Sequence, residues 1–532
     1  MRIIALMRNF HFPGRSPAVA RNAMVATSSA LASTEALAVL RSGGNAVDAA
    51  ITAAGVLTVT EPHMTGIGGD CFVLLSAPDG KVVGLNGSGH ASAHATPNWL
   101  KNQNINEIHP DSVHAVTVPG AIGAWATLLD TYGTMSLADT LGPAISHARN
   151  GVPTSQRTAS DWHSEVPRLS RNKGSARHLL LNGQAPRMGQ VMHFPALASS
   201  LEKIANDGPE TFYKGELADD MIKTLQDHGS LLDHQDFAAT RASWCEPIKT
   251  RFAGHDVFEL PPNGQGMTAL VSLNILKQFD LASLKPDSPQ RWHLEIEAMK
   301  QATILQHRYI ADPDYMDFKP DDFLNDQLTK KLADAIDPIL ANNDPAANTA
   351  TPGTDTVYFC IVDQKGMAVS FINSIYKSFG SSITTEKSGI CLQNRGACFV
   401  TEPGHPNCIG PSKRPRHTII PALIQKNHQL AAVFGVMGGA YQPMGHQSVM
   451  VNRYIYNMDP QAALDFPRLF HQGGIVGTEQ AVPAATVIGL SEMGHKLERL
   501  HDPLGGGQFI QLRQENLIAG SDHRKDGFAA GF

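Results

Sequence analysis

The sequence predicts a mixed α+β fold, on three observations. Two strand-turn-strand patterns lie far apart in the chain, the stretch between them is mainly of helical periodicity, and strand-like runs return after the second pattern before another long helix. From Ala32 to Thr60 the residues are small and apolar, broken by Gly43 and Gly44. Asn45 stands where it would cap a second helix beginning at Ala46. Cys71 to Leu75 and Lys81 to Leu85 then flank a turn at Pro78, Asp79 and Gly80, the pattern of a β-hairpin. Residues 119–340 read mainly as helix, with a long periodic stretch from Trp292 to Tyr309 and an extended segment at His255 to Leu260.

Between Asp337 and Thr354 the chain is polar, small and proline-bearing, which predicts an exposed linker. The composition then changes abruptly. Thr356 to Asp363 and Met367 to Ser374 are strand candidates joined by Gln364, Lys365 and Gly366, a second hairpin. Strand-like runs follow at Gly389 to Leu392 and Leu430 to Val436, then a helix from Gln442 to Met458.

Composition excludes several function classes. Hydrophobic residues at 42% and charged residues at 17% mark a globular chain rather than a disordered or coiled-coil one. A formal net charge of -6 provides no field for nucleic acid or an anionic membrane. No run is long and apolar enough to span a bilayer, and the N-terminal apolar run, Ile3 to Met7, is too short for a signal peptide. The 6 cysteines form no CxxC pair and no disulfide-dense framework, so the cytoplasm is the expected compartment. His90 and His94 have the spacing of metal ligands but no third ligand nearby, and GIGGD lacks the Lys-Ser/Thr of a phosphate loop. No metal and no cofactor are expected, and GIGGD reads as close backbone packing.

A polar linker that delivers a threonine onto the first residue of a buried hairpin points to a chemical purpose. If the bond between Asp355 and Thr356 breaks, the new α-amine lies beside the threonine hydroxyl and can take its proton. One residue then supplies nucleophile and base. Acyl transfer also needs donors for the developing oxyanion, and Gly438 with Gly439, in a turn between a strand and a helix, are the candidates.

These segments resemble the γ-glutamyltranspeptidase family of N-terminal-nucleophile hydrolases. The resemblance runs from about Ala23 to the C-terminus and is carried by RSGGNAVDAAITAAGVLTVTEPHMTGIGGD, TVPGAIGAWATLLDTYG, DPDYMD, PSKRP and DGFAAGF. TVYFCIVDQKGMAVSFINSIYKSFGS, which begins at Thr356 and closes in Phe379 and Gly380, carries it most specifically. The resemblance implies an αββα sandwich built from two autoprocessed subunits, residues 1–355 and residues 356–532. Thr356 would be the nucleophile and the residue after the cut, Asp355 the end of the large subunit, Ser374 a second hydroxyl at the nucleophile, and Gly438 and Gly439 the oxyanion hole. A homodimer of the processed pair is an assembly open to it.

The resemblance fails where the family holds an α-amino acid. The position of its carboxylate-binding arginine is Ser88, that of its ammonium-binding acid is Cys398, and a nearby amide is Arg395. Two carboxylate-site serines fall at His417 and Thr418, and an asparagine at Tyr376. A lost ammonium partner and a gained cation disfavour γ-glutamyl substrates and favour a small carboxylated amide. NGSG, LQNRG and KRPRHTIIPA together are similar to the branch of oxamate amidohydrolases and cephalosporin-acylase-like enzymes, which makes oxamate the leading substrate, with oxalate and ammonia as products and a place in purine breakdown. Two alternatives stand beside it: a γ-glutamyl hydrolase or transpeptidase acting on glutathione or on related γ-glutamyl or glutaryl amides, and an unprocessed, non-catalytic homologue.

Overall fold

A computed structural model describes residue 11 and residues 14–343 and 356–532. Two antiparallel sheets of seven strands each face one another. One runs Phe528–Gly531, Met24–Thr27, Val357–Val362, Ala368–Ser374, Asp70–Ser76, Val82–Gly87 and Ser243–Cys245 in spatial order. The other runs Ala18–Ala20, Leu517–Ser521, Gly506–Leu512, Gln429–Met437, Ala422–Lys426, His255–Glu259 and Ile248–Phe252.

The side-chain period of two explains the layering. In the strand after Thr356, Tyr358, Cys360 and Val362 meet Leu423, Val433 and Ile510 of the facing sheet in the middle core. Val357, Phe359 and Ile361 point the other way, into a core with the helices Ala30–Arg41, Ala46–Thr60 and Ala121–Tyr132. Phe434, Val436 and Phe509 pack the second sheet against the helices Gly266–Leu276 and Pro289–Tyr309. The strands are therefore apolar on both faces, as burial between helix and sheet demands. The expected αββα sandwich is present. Both sheets mix strands from the two sides of position 355.

Local expectations mostly hold. Asn45 caps Ala46–Thr60 with a capping box to Asp48, the two hairpins form, and the extended segment is the strand His255–Glu259. Two do not. The helix from Gln442 is α-helical only to Met450, continues as a π-helical turn over Val451–Ile455, and is followed by Asn457 at a φ of 56°. Residues 389–392 make no strand: Gly389 has a φ of 67° and Cys391 forms only an isolated bridge with Thr384. Asp355 and most of the predicted linker lie outside the described residues.

GIGGD packs backbone against backbone. A Cβ on Gly69 would stand 2.3 Å from the Ser374 carbonyl oxygen, and one on Gly68 2.1 Å from that of Cys391. Neither contact can relax by moving a flexible side chain. Gly69→Ala should therefore destabilise by about 1–3 kcal/mol or more, read as a lower melting temperature. An unchanged melt would show that the two segments separate freely.

Candidate active site

Thr356 immediately precedes the strand Val357–Val362 with its side chain buried, 1% exposed, and its Oγ1 lies 3.0 Å from Ser374 Oγ at the end of the neighbouring strand. Ser374 Oγ accepts the Tyr376 N–H at 2.9 Å and meets Arg395 Nη2 at 3.4 Å. With both lone pairs so occupied, the Ser374 proton is left to donate to Thr356 Oγ1. The threonine's own proton then remains available to a base. Tyr376 reaches this geometry through a φ of 76°, and Thr356 itself has a φ of 134°. Both are costly conformations for residues with a Cβ.

Arg395 is fully buried. Its Nη1 donates to Thr418 Oγ1 at 2.7 Å and approaches Cys398 Sγ at 3.9 Å, and its guanidinium stacks on Tyr376 at 4.4 Å from the ring centre. Its Nε has no partner, and no carboxylate among the described residues pairs with it. Gln265 carries the network on: its Nε2 donates to the carbonyls of Thr418 at 2.6 Å and Gly439 at 2.9 Å. Gly438, at a φ of 117°, and Gly439, at 56°, form the turn into a short 3-10 helix, whose first N–H groups are those a helix start leaves unpaired. Thr356, Ser374, Tyr376, Arg395, Cys398, Thr418 and the glycine turn thus belong to one contiguous network. Tyr376, Cys398, Thr418, Gln265 and Ala440 border a cavity of about 530 Å³.

Ser88 and His417 belong to a second, adjoining network. Ser88 Oγ donates to Asn86 Oδ1 at 2.7 Å and accepts from Asn263 Nδ2 at 3.2 Å. His417 Nε2 bonds Asp70 Oδ2 at 3.1 Å, while its Nδ1 accepts the Ile419 N–H at 3.3 Å. Both ring nitrogens are committed, so His417 has no donor left for a substrate, which corrects the direct contact expected of it. Burial, then the charge of Arg395, holds its pKa down at about 4 against the pull of Asp70. Asp70 is the hub the sequence did not mark: its Oδ1 also accepts from the N–H groups of Gly89 and Gly120, each at 3.1 Å, and from Gln393 Nε2 at 2.9 Å. Asn263, Gln265 and Gln393 were equally hidden, since their partners are distant in the chain.

For a metal, the described residues offer His293, Glu297 and His495 as a buried group. Each is already engaged: His293 with His495 at 2.8 Å, and Glu297 with the Lys300 ammonium at 2.7 Å. A cation already stands beside the carboxylate that an ion would need. Among the described residues, no helix is long and apolar enough to cross a membrane.

The sequence matches the gamma-glutamyltranspeptidase family over residues 32–532. The chain belongs to that family. It is 34% identical over 522 residues to the glutathione hydrolase-like YwrD proenzyme of Bacillus subtilis, covering 96% of this chain and 98% of that protein. It is also 34% identical over 519 residues to the oxamate amidohydrolase proenzyme of Klebsiella pneumoniae, covering 94% and 97%. A crystal structure of cephalosporin acylase from Bacillus halodurans matches with a TM-score of 0.92 at 38% identity, covering 100% of this chain and 99% of that one. As a member of the gamma-glutamyltranspeptidase family, the protein is an N-terminal-nucleophile amidohydrolase.

Two predictions follow from this geometry. Asp70→Asn turns one acceptor into a donor facing N–H donors and should cost about 1–3 kcal/mol, measured by urea unfolding; an unchanged midpoint would remove Asp70 as the hub. The second concerns acid. His90 and His417 have pKa values lowered to about 4 and His307 to about 3, burial being the largest cause in each, against an ordinary value of 6.5. As pH falls below about 6.5 the unfolded chain takes up protons that the folded chain refuses, so this stability is whole above that pH and lost on acidification. The urea midpoint should be lower at pH 4.5 than at pH 7, and a flat profile would contradict the assignment.

Proposed function

We propose that the protein cuts itself between Asp355 and Thr356 and then hydrolyses a small carboxylated amide, oxamate being the simplest, through an acyl-enzyme on Thr356. In processing, Thr356 Oγ1 attacks the Asp355 carbonyl carbon, the C–N bond breaks, and the amine takes the hydroxyl proton. Water then hydrolyses the resulting ester, leaving a carboxylate on Asp355 and a free α-amine on Thr356. In turnover that amine takes the hydroxyl proton, Oγ1 attacks the amide carbon, and the proton passes to the leaving ammonia. Water releases oxalate. The N–H groups of Gly438 and Gly439 receive the oxyanion in this reading, and Ser374 donates to the attacking oxygen.

One observation carries the choice of substrate. A buried guanidinium without a carboxylate partner lies two hydrogen-bond lengths from Thr356 Oγ1, by way of Ser374. Oxamate has its carboxylate on the carbon next to the scissile one, so the anion can meet Arg395 while the carbonyl meets the nucleophile. In a γ-glutamyl amide the α-carboxylate is several bonds further away, and its ammonium would find the Cys398 thiol rather than an acid. The free state of all the cysteines fits a reducing compartment such as the cytoplasm.

Thr356→Ala should run as one full-length band on a denaturing gel and release no ammonia, where the unaltered protein gives two bands. Arg395→Met should process normally and raise KM for oxamate about 10- to 100-fold, as loss of a charged hydrogen bond predicts. The deciding assay compares ammonia release from oxamate with turnover of a γ-glutamyl anilide. Turnover of the anilide alone would favour a γ-glutamyl hydrolase, and an uncut, inert wild-type chain would favour a non-catalytic homologue.

A further inference from the structure

The cavity bordered by Tyr376, Cys398 and Thr418, the residues that Arg395 contacts, has a volume of about 530 Å³, a size that elsewhere holds drug-sized ligands. Oxamate, with a handful of heavy atoms, would leave most of it empty. If the oxalyl carboxylate is seated on Arg395, the acyl side of the substrate is closed. Any further substituent must then extend from the amide nitrogen.

The remaining wall is equipped for an anion. Arg416 and Thr418 both border the cavity, while His417 between them turns its ring to Asp70. Arg416 Nη1 donates to His307 Nδ1 at 2.9 Å. A guanidinium can only donate, so Nδ1 is the acceptor and the ring proton sits on Nε2. Arg416 Nε and His307 Nε2 are both buried without a partner, and no carboxylate among the described residues pairs with Arg416. Burial, then the charge of Arg416, lowers the His307 pKa to about 3, so the ring keeps its N–H as a neutral donor at neutral pH. The cavity's own carboxylates, Glu107 and Glu402, are exposed. A cation and an N–H donor left unpaired in one cavity wall have the composition of a carboxylate site.

We infer that Arg416 and His307 form a second anion subsite, and that the substrate class is N-substituted oxamates whose amine half carries a carboxylate, that is, oxalyl derivatives of amino acids. This rests on the proposed oxamyl-amide reaction and extends it. Hydrolysis breaks the same C–N bond, with the hydroxyl of water going to oxalate and its proton to the released amino acid.

The test uses the processed wild-type enzyme with two amides matched in size, N-(carboxymethyl)oxamate and its neutral analogue N-(carbamoylmethyl)oxamate. Wild type should favour the acid by about tenfold or more in kcat/KM, mainly through KM. Arg416→Gln should bring that ratio towards one, and Arg416→Lys should restore part of it. A wild-type ratio near one, or a ratio unchanged in Arg416→Gln, overturns the subsite even where oxamate is hydrolysed. Failure to hydrolyse oxamate and both analogues overturns the proposed reaction and the subsite together. Should Arg416→Gln fail to process, His307→Phe takes its place: it should also bring the ratio towards one, and a ratio unchanged from wild type overturns the subsite.

Discussion

The site depends on the close approach of two backbones, Gly68 and Gly69 against the carbonyls of Cys391 and Ser374. That contact sets where the strand of the first hairpin begins and where the strand carrying Ser374 ends. Asp70, the next residue, is fixed with them, and its carboxylate collects donors from Gly89, Gly120, Gln393 and His417. Those partners come from both sides of position 355. A charged acceptor with several donors is a strong organiser in a low-dielectric interior, and here it aligns the segments that carry Arg395 and Thr418. The surroundings of Thr356 are thus held from behind by a network whose members do not border the cavity.

Within that frame the unusual energetic feature is Arg395. A buried cation with no anion costs several kcal/mol that packing must offset. Thr418, Ser374 and the face of Tyr376 supply hydrogen bonds and a cation–π contact, but none supplies a charge. In the proposed reaction such a group would be most stable with a ligand carboxylate in place, which would concentrate binding energy beside Thr356 Oγ1. Arg416 repeats the situation at a less buried position.

The fold was largely legible in the sequence because its elements obey strong local rules: Asn45 at a helix start, hairpin turns at Pro78–Gly80 and Gln364–Gly366, and an abrupt change to strand pattern at Thr356. The misread segments were those without such a rule. Residues 389–392 are apolar enough for a strand, but Gly389 adopts a left-handed turn and the run lies against the GIGGD backbone instead. The π-helical turn at Val451–Ile455 leaves apolar periodicity almost unchanged, so nothing in the pattern announced it. At the site, residues within the recognisable signature could be named in advance. Asp70, Gln265 and Arg416 could not, since their roles arise from contacts across the chain, and His417 was misassigned because a sequence gives no direction to a ring.

Thr356 joins the two levels. It is β-branched, yet it stands at a φ of 134°, a conformation that costs on the order of 1–3 kcal/mol and persists only where the surroundings over-determine it. Here they do: Val357 pairs with Asn373 in the ladder, and the side chain is held at Ser374. In the proposed processing this ladder and the Ser374 hydroxyl would hold the Thr356 side chain in place while the bond before it is cut, so the same contacts would serve the precursor and the processed enzyme.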